Sequence, residues 1–271
     1  MRVLGARRTE SDDEDVGYRR TRPLRRPVPR RSWQRRLAMT IVKVILVVIV
    51  VFAAAVALLY VFTPSAGQAT ALAAAQARER HIAYPGPPAP KYFAEALVAT
   101  EDHRFYSDPG VDPIALGRVM ISWVTGHTDG GGSTIDQQLA KNLYTAGHSS
   151  FPQIVEQVVL AVKLNRAYSH AEILRLYAEV AYYGHNYYGL EAASCGYFGR
   201  QPSQLTLVQA AMLAGVVNAP TYDDPLVYPA AARARLVHVL GRMAAVGYLT
   251  SAQHAAALKA PLDLSAVRDC P

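Results

Sequence analysis

The sequence predicts a mainly α-helical domain that follows one N-terminal membrane-spanning helix. Three observations support this fold class. A 26-residue apolar run extends from Leu37 to Phe62 and contains one charge, Lys43. The chain beyond it carries repeated helix-start patterns. No stretch alternates apolar and polar residues as a half-buried strand would.

The apolar run is long enough to cross a bilayer, which takes about 20 helical residues. It exceeds the apolar core of a secretory signal peptide, usually about 7–15 residues. Arginines precede it at positions 30, 31, 35 and 36, and such residues stay on the cytoplasmic side. We therefore expect a single-pass cell-membrane protein with a cytoplasmic N-terminus and an extracytoplasmic domain. Small residues near Ala66 and Ala73 leave cleavage as the alternative.

The charge of the chain is concentrated in its N-terminal tail. Residues 1–36 contain 12 arginines and five acids, so this tail carries the whole formal charge of +7. Its position beside the apolar run favours a role in membrane topology over nucleic-acid binding. The tail is poor in apolar residues, so we expect it to be disordered. Binding of the tail to anionic lipid or to a partner is the alternative.

The whole sequence divides into five segments by composition. We assign 1–36 to a disordered basic cytoplasmic tail, 37–62 to the transmembrane helix, 63–87 to a tether, 88–262 to the folded domain and 263–271 to a C-terminal tail. Within the domain, Ser169-x-x-Glu172 and Thr206-x-x-Gln209 are capping boxes, which predict helix starts. Asp112-Pro113 predicts another start, because a cap precedes proline at the first helical position.

The two cysteines lie 75 residues apart, at Cys195 and Cys270. Both belong to the predicted extracytoplasmic part, where a disulfide is permitted. Two cysteines at this separation are weak evidence for a bridge. We therefore favour two free thiols, with a disulfide as the alternative.

The first segment that could carry chemistry is Ala99-Thr100-Glu101-Asp102-His103-Arg104-Phe105-Tyr106. It places two adjacent carboxylates beside a His-Arg pair, just before a glycine turn and a helix cap. A carboxylate at such a helix end can act as a general base. Alone, the pattern is also typical of ordinary surface charge.

The second segment runs from Gly130 to Asn142 and reads GGGSTIDQQLAKN. Its glycines let a ligand approach the backbone, and its helix start would direct amides toward an anion. Gln137 and Lys141 lie four residues apart on one helix face. This chemistry suits a diphosphate, although the spacing differs from that of a P-loop.

Together these segments resemble the first two motifs of the peptidoglycan glycosyltransferases, E-D-x-x-F-x-x-[HD]-x-G and G-G-S-T-[IL]-T-Q-Q-[LV]-x-K-N. The later stretch from Tyr168 to Tyr177 is similar to the family's Y-S-x-x-E-I-L-x-x-Y-L-N, and the similarity covers roughly residues 85–255. The resemblance implies a lysozyme-like fold. It also implies polymerisation of lipid II into glycan strands, by inverting glycosyl transfer that releases undecaprenyl diphosphate.

The resemblance also implies roles for individual residues. Glu101 would take the proton from the 4-hydroxyl of the acceptor sugar, and Asp102 would organise the first motif. The predicted substrate-binding residues are Asp102, Ser133, Thr134, Gln137, Gln138 and Lys141.

Several partners follow from the resemblance. They are lipid II, the nascent glycan strand, membrane lipids and a separate transpeptidase, since no transpeptidase domain follows in this sequence. No nucleic acid and no certain cofactor are expected. The histidines show no metal-ligand spacing, and assistance by a divalent cation stays open.

The sequence departs from the family at the third motif, R-K-x-x-E. Counting without gaps places its glutamate at Gln157 and its Arg-Lys pair at Gln153-Ile154, while another basic position falls on Ser149. Asp136 stands where the second motif has threonine, and Glu179 where the fourth has asparagine. These changes remove bases and add acid, which is unfavourable for binding a diphosphate. Lys163, Arg166 and Arg104 are the bases that could compensate.

Glu156 is the candidate for the second catalytic carboxylate. It can take that role only if the helix slips, because one residue turns a side chain by about 100°. The first hypothesis is therefore a working glycosyltransferase. The second is a catalytically impaired relative that binds lipid II or glycan and scaffolds cell-wall synthesis proteins. A glycan-cleaving enzyme of similar fold is the least favoured, because the second motif is typical of the synthases.

Overall fold

The computed structural model describes residues 31–114, 125 and 132–265. Within these residues it bounds ten α-helices, and the only β-structure is an isolated bridge between Tyr182 and Tyr188. The mainly α prediction is therefore confirmed. The helices are α1 (Arg31–Phe62), α2 (Ala69–Glu79), α3 (Lys91–Glu101), α4 (Ile135–Tyr144), α5 (Phe151–Ala167), α6 (His170–Val180), α7 (Leu190–Phe198), α8 (Leu207–Val216), α9 (Pro229–Ala245) and α10 (Ser251–Lys259).

Helix α1 contains the predicted membrane segment. Its side chains from Trp33 to Phe62 are all exposed. Among the described residues it is the one helix long and apolar enough to cross a membrane, with a mean hydropathy of 3.2 in its most apolar window. Apolar surface in water costs about 25 cal/mol per Å², so a bilayer is a favourable environment for this helix. The chain divides into two compact units after Ala54.

The second unit is built around helix α8. Every residue from Val208 to Val216 is buried, and α3 and α9 pack against this helix and against each other. Helices α4, α5 and α6 also pack together. Both predicted capping boxes are present, with Ser169 and Thr206 each accepting a hydrogen bond from the third residue of its helix. The sequence rules for helix starts therefore hold in this domain.

The segment 63–87, which the sequence assigns to a tether, contains packed structure. A 3₁₀ helix over Ala66–Gln68 leads directly into α2, and the alanines at positions 69, 73 and 77 of α2 are buried. Their spacing of four residues makes a narrow stripe on one helix face, so the helix can lie close to its neighbours. The packed domain therefore begins near Ala66 rather than at residue 88.

Side chains of the domain bind the carbonyl groups just after α1. Lys163 Nζ donates to the carbonyls of Thr63 and Pro64, at 2.8 and 3.1 Å. The hydroxyls of Tyr144 and Tyr168 donate to the carbonyl of Ala66, at 3.3 and 3.1 Å. This segment is thus held by α4, α5 and the turn that follows α5.

Gly110 permits a close backbone approach between the first motif and α5. Its φ is 88°, and a Cβ atom at this position would lie 2.5 Å from the carbonyl oxygen of Ala161. Its own carbonyl accepts a hydrogen bond of 2.7 Å from Thr134 Oγ1. Glycine is therefore required here for both its conformation and its lack of a side chain.

Gly147 offers a matched comparison, because its φ is 80° but no atom lies within 4 Å of the position that a Cβ would take. We expect Gly147→Ala to cost about 1 kcal/mol from the left-handed conformation. Gly110→Ala should cost about 2–4 kcal/mol, because the Ala161 backbone must also move. Thermal unfolding of the full chain in detergent measures both. Equal costs would contradict the packing at Gly110.

Candidate active site

A polar cavity of about 830 Å³ opens where the end of α3 meets the start of α4 and one face of α9. Six of the eight predicted site residues line it, and the other two, Gln137 and Glu156, do not. The six are Glu101, Asp102, Ser133, Thr134, Gln138 and Lys141. The fold thus brings the first two motifs together, although more than 20 residues separate them along the chain.

Both carboxylate oxygens of Glu101 are held by neighbouring side chains. Oε1 lies 2.7 Å from Arg235 Nη2, and Oε2 accepts a 3.1 Å hydrogen bond from Gln138 Nε2. Gln138 is fixed in turn, because its Oε1 accepts a 2.9 Å hydrogen bond from the hydroxyl of Tyr177. The side chain of Glu101 is only 9% exposed. The predicted base therefore has a defined orientation at the cavity wall.

Asp102 connects the first motif to the start of α4. The backbone N–H of Ile135 donates to its Oδ2 at 3.2 Å. Burial raises the pKa of Asp102 to about 6, against the lowering effect of that hydrogen bond. This contact supports the organising role predicted for Asp102.

The start of α4 is less open to an anion than its sequence suggests. Thr134 and Gln137 form a capping box, in which Thr134 Oγ1 accepts from the Gln137 N–H and Gln137 Oε1 accepts from the Thr134 N–H. The amide of Ile135 is used by Asp102. Gln137 therefore has a local structural role, and Lys141 is the cation of this motif that faces the cavity.

Asp136 lies in the interior rather than beside the cavity. Its side chain is 1% exposed and its Oδ1 lies 3.5 Å from Asn165 Nδ2. Burial and, to a smaller extent, the nearby charge of Asp102 raise the pKa of Asp136 to about 7, against the lowering effect of the Asn165 hydrogen bond. The expectation that Asp136 adds negative charge at the diphosphate site is therefore wrong, because its carboxyl faces the protein interior.

Three basic residues of α9 line the same cavity, and the motif-based prediction missed them. They are Arg235, His238 and Arg242. Their spacing of three and four residues puts them on one helix face, and this periodicity was the available signal. Arg235 Nε donates to the carbonyl of Gly215 at 3.1 Å, and Arg242 Nε donates to that of Ala99 at 3.2 Å.

The bases that the sequence proposed as compensation are engaged elsewhere or lie outside this cavity. Arg104 pairs with Asp112 and lies 3.8 Å from Asp108. Lys163 binds the carbonyls after α1, and Arg166 lines a separate cavity beside it. Helix α9 rather than these residues therefore supplies additional positive charge.

The comparisons with known proteins agree with this geometry. Residues 68–244 match the family model described as Transglycosylase. The chain belongs to the transglycosylase family. The match starts at the 3₁₀ helix that precedes α2 and ends within α9, so it includes all but the last two residues that line the cavity, Ala245 and Val246.

The curated relatives of this transglycosylase include two kinds of protein. It is 38% identical over 174 residues to penicillin-binding protein 1A of Aquifex aeolicus, which covers 64% of this chain and 24% of that protein. It is 36% identical over 175 residues to a protein described as a transglycosylase from Cupriavidus necator, covering 65% of this chain and 76% of that protein. The chain thus spans about a quarter of the length of the penicillin-binding protein.

A solved structure also resembles part of this transglycosylase. Penicillin-binding protein 1A from Haemophilus influenzae matches 49% of this chain and 17% of that chain, with 30% identity and a TM-score of 0.35.

The third motif of this transglycosylase has a structural role at Gln157. The side chain is buried, and Nε2 donates to Thr145 Oγ1 and to the carbonyl of His148, both at 2.7 Å. It therefore ties the turn after α4 to α5. Glu156 is half-buried beside it, and α5 is continuous from Phe151 to Ala167 without the slip that Glu156 would need to replace the family glutamate.

The described residues contain no metal cluster and one oxidised cysteine. Among them, no group of three or more His, Cys, Asp or Glu side chains could hold a metal ion.

Cys195 is disulfide-bonded, so the favoured free thiol is wrong for this residue. Cys270 lies outside the described residues.

Restoring the family glutamate should destabilise this protein. A carboxylate in Gln157→Glu cannot donate to the His148 carbonyl, and a buried group left without its partner costs about 1–3 kcal/mol. Gln153→Glu is the matched control on the same helix, because Gln153 Oε1 only accepts hydrogen bonds, from the N–H and Oγ of Ser150. Thermal unfolding of the full chain should show a loss for Gln157→Glu alone. A stable and more active Gln157→Glu variant would contradict the structural role.

The buried acids should make stability fall as pH rises. Asp136 has a raised pKa in the folded state, so the native protein holds a proton that the unfolded chain releases above about pH 4. Stability should therefore decrease from about pH 4 to 7, by on the order of 3 kcal/mol. We expect Asp136→Asn to match wild type at pH 4 and to exceed it at pH 8. Urea unfolding at both pH values tests this, and parallel profiles would contradict it.

Proposed function

We propose that this transglycosylase polymerises lipid II into peptidoglycan glycan strands, with Glu101 as the general base. The observation that carries the proposal is the environment of Glu101. Its carboxylate faces a cavity of about 830 Å³ and is held at both oxygens by Arg235 and Gln138. A fixed, partly buried carboxylate in a large polar cavity suits proton removal from a sugar hydroxyl.

The reaction is an inverting displacement at the anomeric carbon of the donor. Glu101 takes the proton of the acceptor 4-hydroxyl, and the oxygen forms the new glycosidic bond. The bond from the anomeric carbon to the phosphate oxygen breaks, and its electron pair leaves with undecaprenyl diphosphate. Inversion follows because the attacking oxygen and the leaving diphosphate lie on opposite sides of that carbon.

The negative charge of the departing diphosphate is stabilised by cations rather than by a second acidic residue. Lys141 lines the cavity from α4, while Arg242 lines it from α9. Lysine and arginine bind phosphate oxygens through charge-assisted hydrogen bonds. These residues can stabilise the leaving group although no carboxylate of α5 lines the described part of the cavity. The impaired-relative hypothesis is less favoured, because both the base and a set of cations are present.

The membrane helix fits the same function. We propose that α1 crosses the bilayer once, with the N-terminus in the cytoplasm and the cavity outside. The arginines before the apolar run support this orientation. A substrate anchored in the same membrane reaches the site at a high effective concentration. The nascent strand is the second substrate, and a transpeptidase that cross-links finished strands is the expected partner.

Fluorescent lipid II and the full-length protein in liposomes test the proposal, with and without a divalent cation. Wild type should form glycan polymer. Glu101→Gln should lower the rate at least about 100-fold, the typical contribution of a general base. Glu156→Gln should stay within about twofold of wild type, because this side chain does not line the cavity.

Three outcomes separate the hypotheses. No polymer from wild type, at any pH or cation concentration, would overturn the proposed function. Polymer formed equally well by Glu101→Gln would overturn the role of the base. A large loss in Glu156→Gln would show that the second carboxylate acts after all.

A further inference from the structure

We infer that Arg235 is a positioning residue that aims the Glu101 carboxylate at the acceptor hydroxyl. This inference rests on the proposed function. Arg235 Nη2 lies 2.7 Å from Glu101 Oε1, although 134 residues separate the two along the chain. Both side chains are mostly buried, at 17% and 9% exposed, so water screens the pair weakly.

Arg235 is itself fixed by a second hydrogen bond in another direction. Its Nε donates to the carbonyl of Gly215 at 3.1 Å, which leaves the terminal nitrogens for Glu101. A guanidinium can serve both acceptors at once because its donors are arranged in a rigid plane. A lysine has one nitrogen on a flexible stem and cannot reproduce this geometry.

Gly215 gives the arginine stem room to lie against α8. A Cβ atom at this position would lie 3.1 Å from Arg235 Cγ and 3.1 Å from Val239 Cγ2. An alanine would therefore displace the stem by a few tenths of an ångström while leaving its charge in place. Gly215 thus fixes the Arg235 guanidinium in two ways, through its carbonyl group and through the space that its missing side chain leaves for the stem.

The opposite side of the carboxylate is fixed by α4 and α6. Gln138 Nε2 donates to Oε2, and the hydroxyl of Tyr177 holds the Gln138 amide in the required orientation. Glu101 is therefore held between a neutral donor and a cationic donor. The Arg235 guanidinium balances the negative charge that the Glu101 carboxylate carries when it acts as a base.

The inference makes a kinetic prediction that differs from a role in substrate binding. A residue that aims the base should affect kcat, whereas a residue that binds the donor equally in the ground state and the transition state should affect KM. We expect Arg235→Gln to lower kcat about 100-fold with KM within about threefold of wild type. Arg235→Lys should recover only part of that loss. Gly215→Ala should lower kcat by roughly tenfold through displacement alone.

Arg233→Gln is the matched control, because Arg233 lies two residues earlier on α9, is exposed and contacts the Leu258 carbonyl. It should leave kcat unchanged. Addition of guanidinium at millimolar concentration to Arg235→Ala should restore part of the rate. Thermal unfolding of each variant in detergent checks its fold, and Gly215→Ala serves if Arg235→Gln does not fold.

A readout that needs no turnover separates this inference from the proposed function. Carbodiimide labelling of Glu101, mapped by mass spectrometry on the full chain, should rise at least about fivefold in Arg235→Gln, because the carboxylate loses its paired cation. Unchanged labelling, or a raised KM with normal kcat, would overturn the inference. Failure of wild type to polymerise lipid II would overturn the proposed function, whereas raised labelling in Arg235→Gln would still show that Arg235 holds the Glu101 carboxylate.

Discussion

The join between the end of α3 and the start of α4 is the constraint on which the rest of the site depends. The carboxylate of Asp102 binds the first amide of α4, and Thr134 binds the carbonyl of Gly110. These two contacts cross the long connection between the motifs and bring Gln138 within reach of Glu101. Each is local in space but distant in sequence. The two motifs form one cavity because each contributes a side chain to these contacts, Asp102 from the first and Thr134 from the second.

The join has an energetic cost, because it buries acids. The pKa values of Asp102 and Asp136 are both raised, chiefly by burial, and the charge of Asp102 adds to the rise at Asp136. Buried carboxyl groups favour their neutral form unless hydrogen bonds compensate. The site thus combines a paired Glu101 with two acids whose burial is only partly compensated by hydrogen bonds, and packing of α3, α8 and α9 must offset their burial.

Local patterns in the sequence predicted much of this fold. The capping boxes at Ser169 and Thr206 are confirmed because the residues that form them lie three positions apart. The first two motifs supplied seven of the predicted site residues, and six of these line the cavity. Gln137 does not line it, because its amide serves the cap of its own helix, a competition that the motif alone does not reveal. The three bases of α9 were missed because the first motif, which two of them contact, lies more than 100 residues away.

The connection between α1 and the following 3₁₀ helix is short, and its carbonyls are hydrogen-bonded. Only three residues, Thr63 to Ser65, separate α1 from the 3₁₀ helix of the domain, and such a stretch spans at most about 10 Å. Lys163 restrains this stretch further by binding two of its carbonyls. With α1 in a bilayer, the protein has almost no flexible linker between this helix and the 3₁₀ helix. On the function proposed above, its chemistry would be confined to sugars whose lipid is still embedded in the membrane, and mature wall at a distance would be beyond its reach.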